Sequence, residues 1–238
     1  IKSVRSIQKV TKAMKMVAAA KMRKAQERME QARPYSNSLS EVIEHLLPDI
    51  DRGRLPLLNL REIKRKAYVV VCADRGLAGA FNTNLLKIAQ KEIDEFGKDQ
   101  VDIFCIGKKA RDHFTYRNYK IVESHVDFWA EMEFDNAMMI GRSAIDHFTN
   151  GAVDEIHVLY NYFVNVAQQE VRSETLLPLN YETNESGPSD RLYEPSKEEL
   201  VNTLIPRHLN VQMWKYLLES YASEQAARML SMENATSN

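Results

Sequence analysis

The stretch IKSVRSIQKVTKAMKMVAAAKMRKAQERMEQAR (residues 1–33) decides the fold. It contains no glycine; Val4, Ile7, Val10, Met14, Val17 and Ala18 recur at steps of three and four, and Ala18, Ala25 and Ala32 stand seven apart. Such spacing lays a narrow apolar seam along one side of an α-helix, suited to a partner helix. At ~1.5 Å per residue the stretch extends roughly 50 Å as a single helix, well beyond the average globular length, so it is predicted to project. Pro34 removes one backbone donor and predicts a bend, while Leu39, Ile43, Leu46 and Leu47 keep the spacing and predict a helix that resumes as far as Pro48.

The opposite end of the chain has the same character. Leu218, Gln225 and Met232 stand seven apart, as do Ala222, Met229 and Thr236, with Pro206 predicting an interruption near the start. Seams of Ala and Met bury little area, so each helix alone is marginal and the two are predicted to pack as an antiparallel pair. The expected seam comprises Val10, Met14, Val17, Ala18, Ala25, Leu218, Ala222, Gln225, Met229 and Met232.

All eight glycines lie between Gly53 and Gly187. The middle alternates short β-branched or aromatic runs at residues 67–73, 101–106 and 156–163, with a weaker one at 120–122, and helical patterns at 84–96 and 136–148. Strands alternating with helices of about a dozen residues predict an α/β, Rossmann-like domain with a mostly parallel sheet. The expected organisation is a long helix in residues 1–52, the globular domain in 53–187, and a linker plus the second long helix in 188–238. The polar stretch 183–195 is predicted to be a loop.

The net charge of −1 conceals an asymmetry: residues 1–33 hold ten Lys or Arg against Glu27 and Glu30, a surplus of eight that the rest of the chain offsets. A basic helix of this kind faces either solvent or something acidic. No run approaches the eighteen apolar residues of a spanning helix and residues 1–5 lack a signal layout, so the chain is expected to be soluble, intracellular and not membrane-inserted. Cys72 and Cys105 sit in apolar runs, which predicts reduced core thiols.

Candidate chemistry is sparse. Asp74-Arg75-Gly76-Leu77-Ala78-Gly79 has two glycines three apart but lacks the third member of a dinucleotide fingerprint, and Gly107-Lys108-Lys109 lacks the Ser or Thr of a phosphate loop. The six histidines are scattered without metal-ligand spacing, and Ser143 lacks the glycine that follows a nucleophile elbow. No catalytic residue, no cofactor and no metal are expected, and the domain is read as structural or interacting.

Three motifs, in order, carry a resemblance. Ser6-Ile7-Gln8-Lys9-Val10-Thr11-Lys12-Ala13-Met14-Lys15-Met16-Val17-Ala18-Ala19-Ala20-Lys21, then Asp74-Arg75-Gly76-Leu77-Ala78-Gly79-Ala80-Phe81-Asn82, then Leu218-Glu219-Ser220-Tyr221-Ala222-Ser223-Glu224-Gln225-Ala226-Ala227-Arg228-Met229 resemble the gamma subunits of F-type ATP synthases. The resemblance covers essentially the whole chain. It implies a central-stalk rotor: an antiparallel coiled coil inside a ring of three α and three β subunits, with a body that touches the epsilon subunit and the membrane c-ring. It also implies a place on the cytoplasmic side of the bacterial inner membrane, the wording of residues 207–229 being more similar to bacterial than mitochondrial members.

Carried over residue by residue, the resemblance assigns Lys9, Lys12, Met14, Lys15, Lys21, Arg23 and Lys24 to acidic loops of the β subunits, and Tyr35, Tyr193 and Glu194 to a foot against epsilon or the rotor ring. In the family the first helix begins about ten residues earlier and the last runs several turns beyond the region of Asn234. No cysteine lies between Pro178 and Pro195, where chloroplast members carry a redox insert, so thiol control is not expected. Two other readings compete: a basic coiled-coil arm for nucleic acid, weakened by the lack of aromatics in residues 1–33, and an enzyme acting on a small phosphorylated substrate, weakened by the missing glycine patterns.

Overall fold

Alternation along the strands sorts the middle of the chain into two layers. In β1 (Lys66–Val71), Ala67, Val69 and Val71 turn to one face of the sheet and Tyr68 and Val70 to the other. In β2 (Val101–Ile106), Phe104 and Ile106 join the first set and Ile103 and Cys105 the second. The computed structural model describes residues 2–47, 50–181, 194 and 196–237. Its sheet runs in the order β3-β2-β1-β4-β5, with β3 (Ile121–His125) parallel to β2, β4 (Glu155–Phe163) parallel to β1, and β5 (Gln169–Leu177) antiparallel to β4 at the edge.

The helices α2 (Phe81–Phe96) and α3 (Lys108–Tyr116) cover one face through Leu85, Ala89, Ile93, Ala110 and Phe114. On the other face lie α4 (Phe134–Thr149) and the two long helices, α1 (Lys2–Leu46) and α5 (Lys197–Ser237). Neither β5 nor α3 stands among the expected elements. The strand is mostly polar because an edge strand with one solvated face need carry few apolar residues, and α3 is only nine residues long.

The long helices run antiparallel. Thr11 Oγ1 lies 2.6 Å from Thr236 Oγ1, Lys15 Nζ 2.6 Å from Glu233, and Ser40 Oγ 3.5 Å from His208 Nδ1, so the pairing descends α1 as it climbs α5. Along α1, Thr11, Ala18, Ala25, Leu39 and Leu46 are buried and Ala32 is partly buried, an unbroken spacing of seven that gives a left-handed winding. This corrects two expected seam positions: Val10 and Val17 are 59% and 55% exposed. One residue along a helix is a rotation of about 100°, so the row that starts at Thr11 carries its preceding neighbours out of the contact.

Both prolines lie inside continuous helices. Pro34 sits within α1 and Pro206 within α5, where an interruption was expected. Pro34 is on the exposed side, and its freed acceptor, the Glu30 carbonyl, belongs to an exposed residue that water reaches. Pro48, most of the predicted loop at 183–195, and the proposed domain limit at 187 lie outside the described residues.

Candidate functional site

In an open sheet of this kind a ligand lies beyond the carboxyl ends of the strands where the strand order reverses, here between β1 and β4. α5 fills that place. Ser220 Oγ accepts the Asn161 N–H at 3.2 Å and donates to the Val71 carbonyl at 3.4 Å, Ser223 Oγ donates to the Asn161 carbonyl at 3.1 Å, and Glu219 accepts the Phe163 N–H at 2.9 Å. Lower down, Tyr160 of β4 and Tyr216 of α5 both donate to Glu174 of β5, at 2.6 and 3.1 Å. The space remaining beside Cys72, Phe81, Ser220 and Tyr221 is too small to admit a water molecule. The groups that would meet a nucleotide in a binding protein instead hold a helix.

The loop after β1 is built for shape. Asp74 accepts the backbone N–H groups of Lys108 and Asp127, each at 2.8 Å, which ties this loop to the start of α3. Asn82 accepts the Ala73 N–H at 3.0 Å and donates to the Arg75 carbonyl at 3.2 Å, closing the turn from within. Gly107 is required where it is: φ is +89° and a Cβ would collide with the Cys72 carbonyl. Between these braces Leu77 is held at φ 63° with 67% of its surface exposed. Nothing in residue type singled Leu77 out beforehand. Both thiols are buried, Cys105 within β2 and Cys72 just past the end of β1, and burial pushes Cys105 up to about 12.

Of the residues assigned to β loops, Lys9, Lys12, Lys21, Arg23 and Lys24 are exposed, whereas Lys15 is engaged within the chain by Glu233. Met14 is half-buried and, with Lys21, lines a groove of about 500 Å³ between α1 and the body. Its far wall carries Arg75, Trp129 and Arg228; Trp129 stacks on Tyr221 at 5.9 Å, and Arg228 is paired with Glu224. In the expected seam Ala18, Ala25, Leu218, Ala222, Gln225 and Met232 are buried and Met229 is half-buried. For the foot, Tyr35 is 54% exposed but lies eleven residues before Leu46, roughly 16 Å up the helix, while exposed Glu194 precedes α5 at the lower end. Tyr193 lies outside the described residues. The residues that fasten shaft to body, Glu219, Ser220 and Ser223, were not singled out beforehand. Only the repeated small and polar residues in the last motif signalled them.

A pair of long helices fastened across the ligand crevice of an α/β body, with cations and apolar side chains outward, defines a shaft-and-body class of protein. Comparison with known proteins makes the class particular. The family model described as ATP synthase matches residues 1–238. The ATP synthase gamma chain of Prosthecochloris aestuarii is 44% identical over all of this chain and 84% of that protein, and the gamma chain of Chloroherpeton thalassium 42% over the same shares. The central stalk and c-ring structure of the Tetrahymena thermophila mitochondrial ATP synthase shares the fold at TM-score 0.75 and 23% identity, over 95% of this chain and 99% of that one. The Euglena gracilis mitochondrial rotor does so at TM-score 0.68 and 21% identity, over 100% and 88%. The chain belongs to the ATP synthase gamma chain family.

Proposed function

We propose that this chain transmits rotation through the stalk and performs no chemistry itself. The observation that carries this reading is the fastening of α5 across the carboxyl ends of β1 and β4, which makes one helix both half of the shaft and part of the body. Torque applied to the body by a membrane c-ring reaches the shaft through packed side chains and hydrogen bonds instead of a linker. Inside a ring of three α and three β subunits the shaft presents different residues to each catalytic site, and only such a difference in contact shifts the equilibrium among their conformations.

Lys9, Lys12, Lys21, Arg23 and Lys24, with Met14 at their centre, are assigned to acidic loops of the β subunits. Exposed pairs contribute only ~0 to 1 kcal/mol each, weak enough to break at every step. Lys15 acts indirectly by tying α1 to α5. Tyr35 and Glu194 are assigned to contacts with an epsilon-type subunit or the rotor ring, at separate heights on the stalk.

The test uses an exposed handle. Tyr116 is 83% exposed on α3, and the native thiols are buried, so a Tyr116→Cys variant takes a bead at one place. Co-expressed with α and β subunits, the variant is expected to copurify at one to three to three and to turn the bead in one direction on ATP. A complex that hydrolyses ATP while the bead stands still overturns the reading. Saturable micromolar nucleotide binding by the chain alone overturns its non-catalytic part.

A further inference from the structure

Below the groove at Met14 a second one, of about 400 Å³, opens where α1, α5 and β5 meet. Its charged groups come from all three elements: Arg33 from α1, Arg172 from β5, and Lys215 and Glu219 from α5. Three cations and one carboxylate line the concave site, and with Glu170 paired to Arg172 the balance is one surplus positive charge. Glu219 is already committed to the Phe163 N–H. Burial raises its carboxyl above the usual range, while the Phe163 N–H and the charges of Lys215, Arg172 and Arg33 act against that rise.

The cations differ in freedom. Arg172 lies over the Tyr162 ring, 3.3 Å from its centroid, and reaches Glu170 at 3.4 Å. The side chains of Arg33 and Lys215 make no hydrogen bond or ion pair among the described residues, and the same holds for those of Ser36 and Asn37 on the same wall. The rest of the lining mixes apolar Met29, Ala32, Val211 and Leu218 with Tyr162, Ser40 and Gln212. A small oxyanion would use the cations and leave Met29, Ala32, Val211 and Leu218 uncovered, whereas a peptide that is acidic on one side and apolar on the other uses both sets.

We propose that this groove docks an acidic, amphipathic peptide segment of a neighbouring subunit, its carboxylates pairing with Arg33 and Lys215. The proposal rests on the chain being a subunit of a larger assembly, and extends it to a surface lower on the shaft than the basic face of α1. Specificity comes from the excess charge: a neutral or basic segment would leave the cations desolvated and unpaired.

The assembled complex, treated with a water-soluble carbodiimide that joins amines to touching carboxylates, provides the test. The Lys15–Glu233 pair at 2.6 Å serves as an internal control for the chemistry. Mass spectrometry is expected to find Lys215 joined to an Asp or Glu of another chain. That link should vanish in Lys215→Gln and fall several-fold in Arg33→Glu, with the control link retained in both. If the control link forms and Lys215 is unreacted or joined only to Glu219, the proposal is overturned. Protection of Lys215 from acetylation by millimolar inorganic phosphate in the isolated chain, as complete as in the complex, also overturns it, in favour of a small anion. Failure of the complex to assemble is seen earlier, at copurification, and removes the reading beneath the proposal instead.

Discussion

The two ends of the shaft share one heptad repeat and use it in opposite ways. At the lower end the repeat carries Leu39, Ile43 and Leu46, all buried in a core that continues into Val201, Ile205 and Leu209 of α5 and on to the sheet. At the upper end the same rows carry Thr11, Lys15 and Ala18, joined to α5 by Thr236 and Glu233, while Val4, Ile7, Val10 and Val17 face outward. The lower shaft is held by buried area, and the upper shaft by a few polar ties over small residues. The comparison teaches that periodicity fixes where two helices touch, whereas side-chain size decides whether the contact stands without help.

The largest expected effect lies at the bottom. Ile43 is fully buried, and Ile43→Ala is expected to cost ~2–5 kcal/mol in the isolated chain, read from urea unfolding. A loss below 1 kcal/mol would erase the contrast drawn above. Acidification comes next and tests the body on which the lower shaft rests. Burial pushes the Asp102 carboxyl up, but hydrogen bonds from Lys120 and His147 and the charges of Lys120 and Arg65 outweigh it and leave the group below its ordinary value. A carboxyl lowered by folding stabilises above its unfolded range, and that contribution disappears as pH falls through the folded value. Thermal unfolding followed from pH 7 to pH 3 should lose stability with falling pH, and less steeply in Asp102→Asn.

Third, Lys15→Gln is expected to cost no more than ~1 kcal/mol, an effect that shrinks at high salt, because the pair with Glu233 is partly exposed. Smallest is Val10→Ala, expected within about 0.5 kcal/mol in the isolated chain. The same variant in the assembled complex sharpens the comparison: a larger loss there, measured as slower ATP-driven rotation, means that the outward apolar row of α1 is covered by partners.

Much of this was legible in the sequence, for identifiable reasons. The absence of glycine from both ends announced two long helices, and alternation in residues 67–73, 101–106 and 156–163 announced the parallel core. What escaped was whatever tertiary contact supplies. β5 is held by pairing with β4 and by Glu174 accepting from Tyr160 and Tyr216, and neither is written in its own composition. The expected seam included Val10 where the buried row carries Thr11, a polar side chain that bonds to Thr236, and it included Val17 beside Ala18, which alone of the two is buried. Ser220 and Ser223 looked like filler between apolar positions, and their role needed the ends of β1 and β4 beside them. The second groove was invisible for the same reason, since Arg33, Arg172 and Lys215 lie far apart in the chain.

The fastening of α5 across the sheet has a mechanical consequence. A shaft mounted on a flexible connector would store twist in that connector and deliver its push late. Here the joint resembles a spline, in which serine hydroxyls and backbone groups mesh at several points along one line, leaving little backlash between body and axle. In the proposed rotation, elastic yielding is therefore displaced upward, into the pair of helices above Ala18, where Val4, Ile7, Val10 and Val17 are exposed.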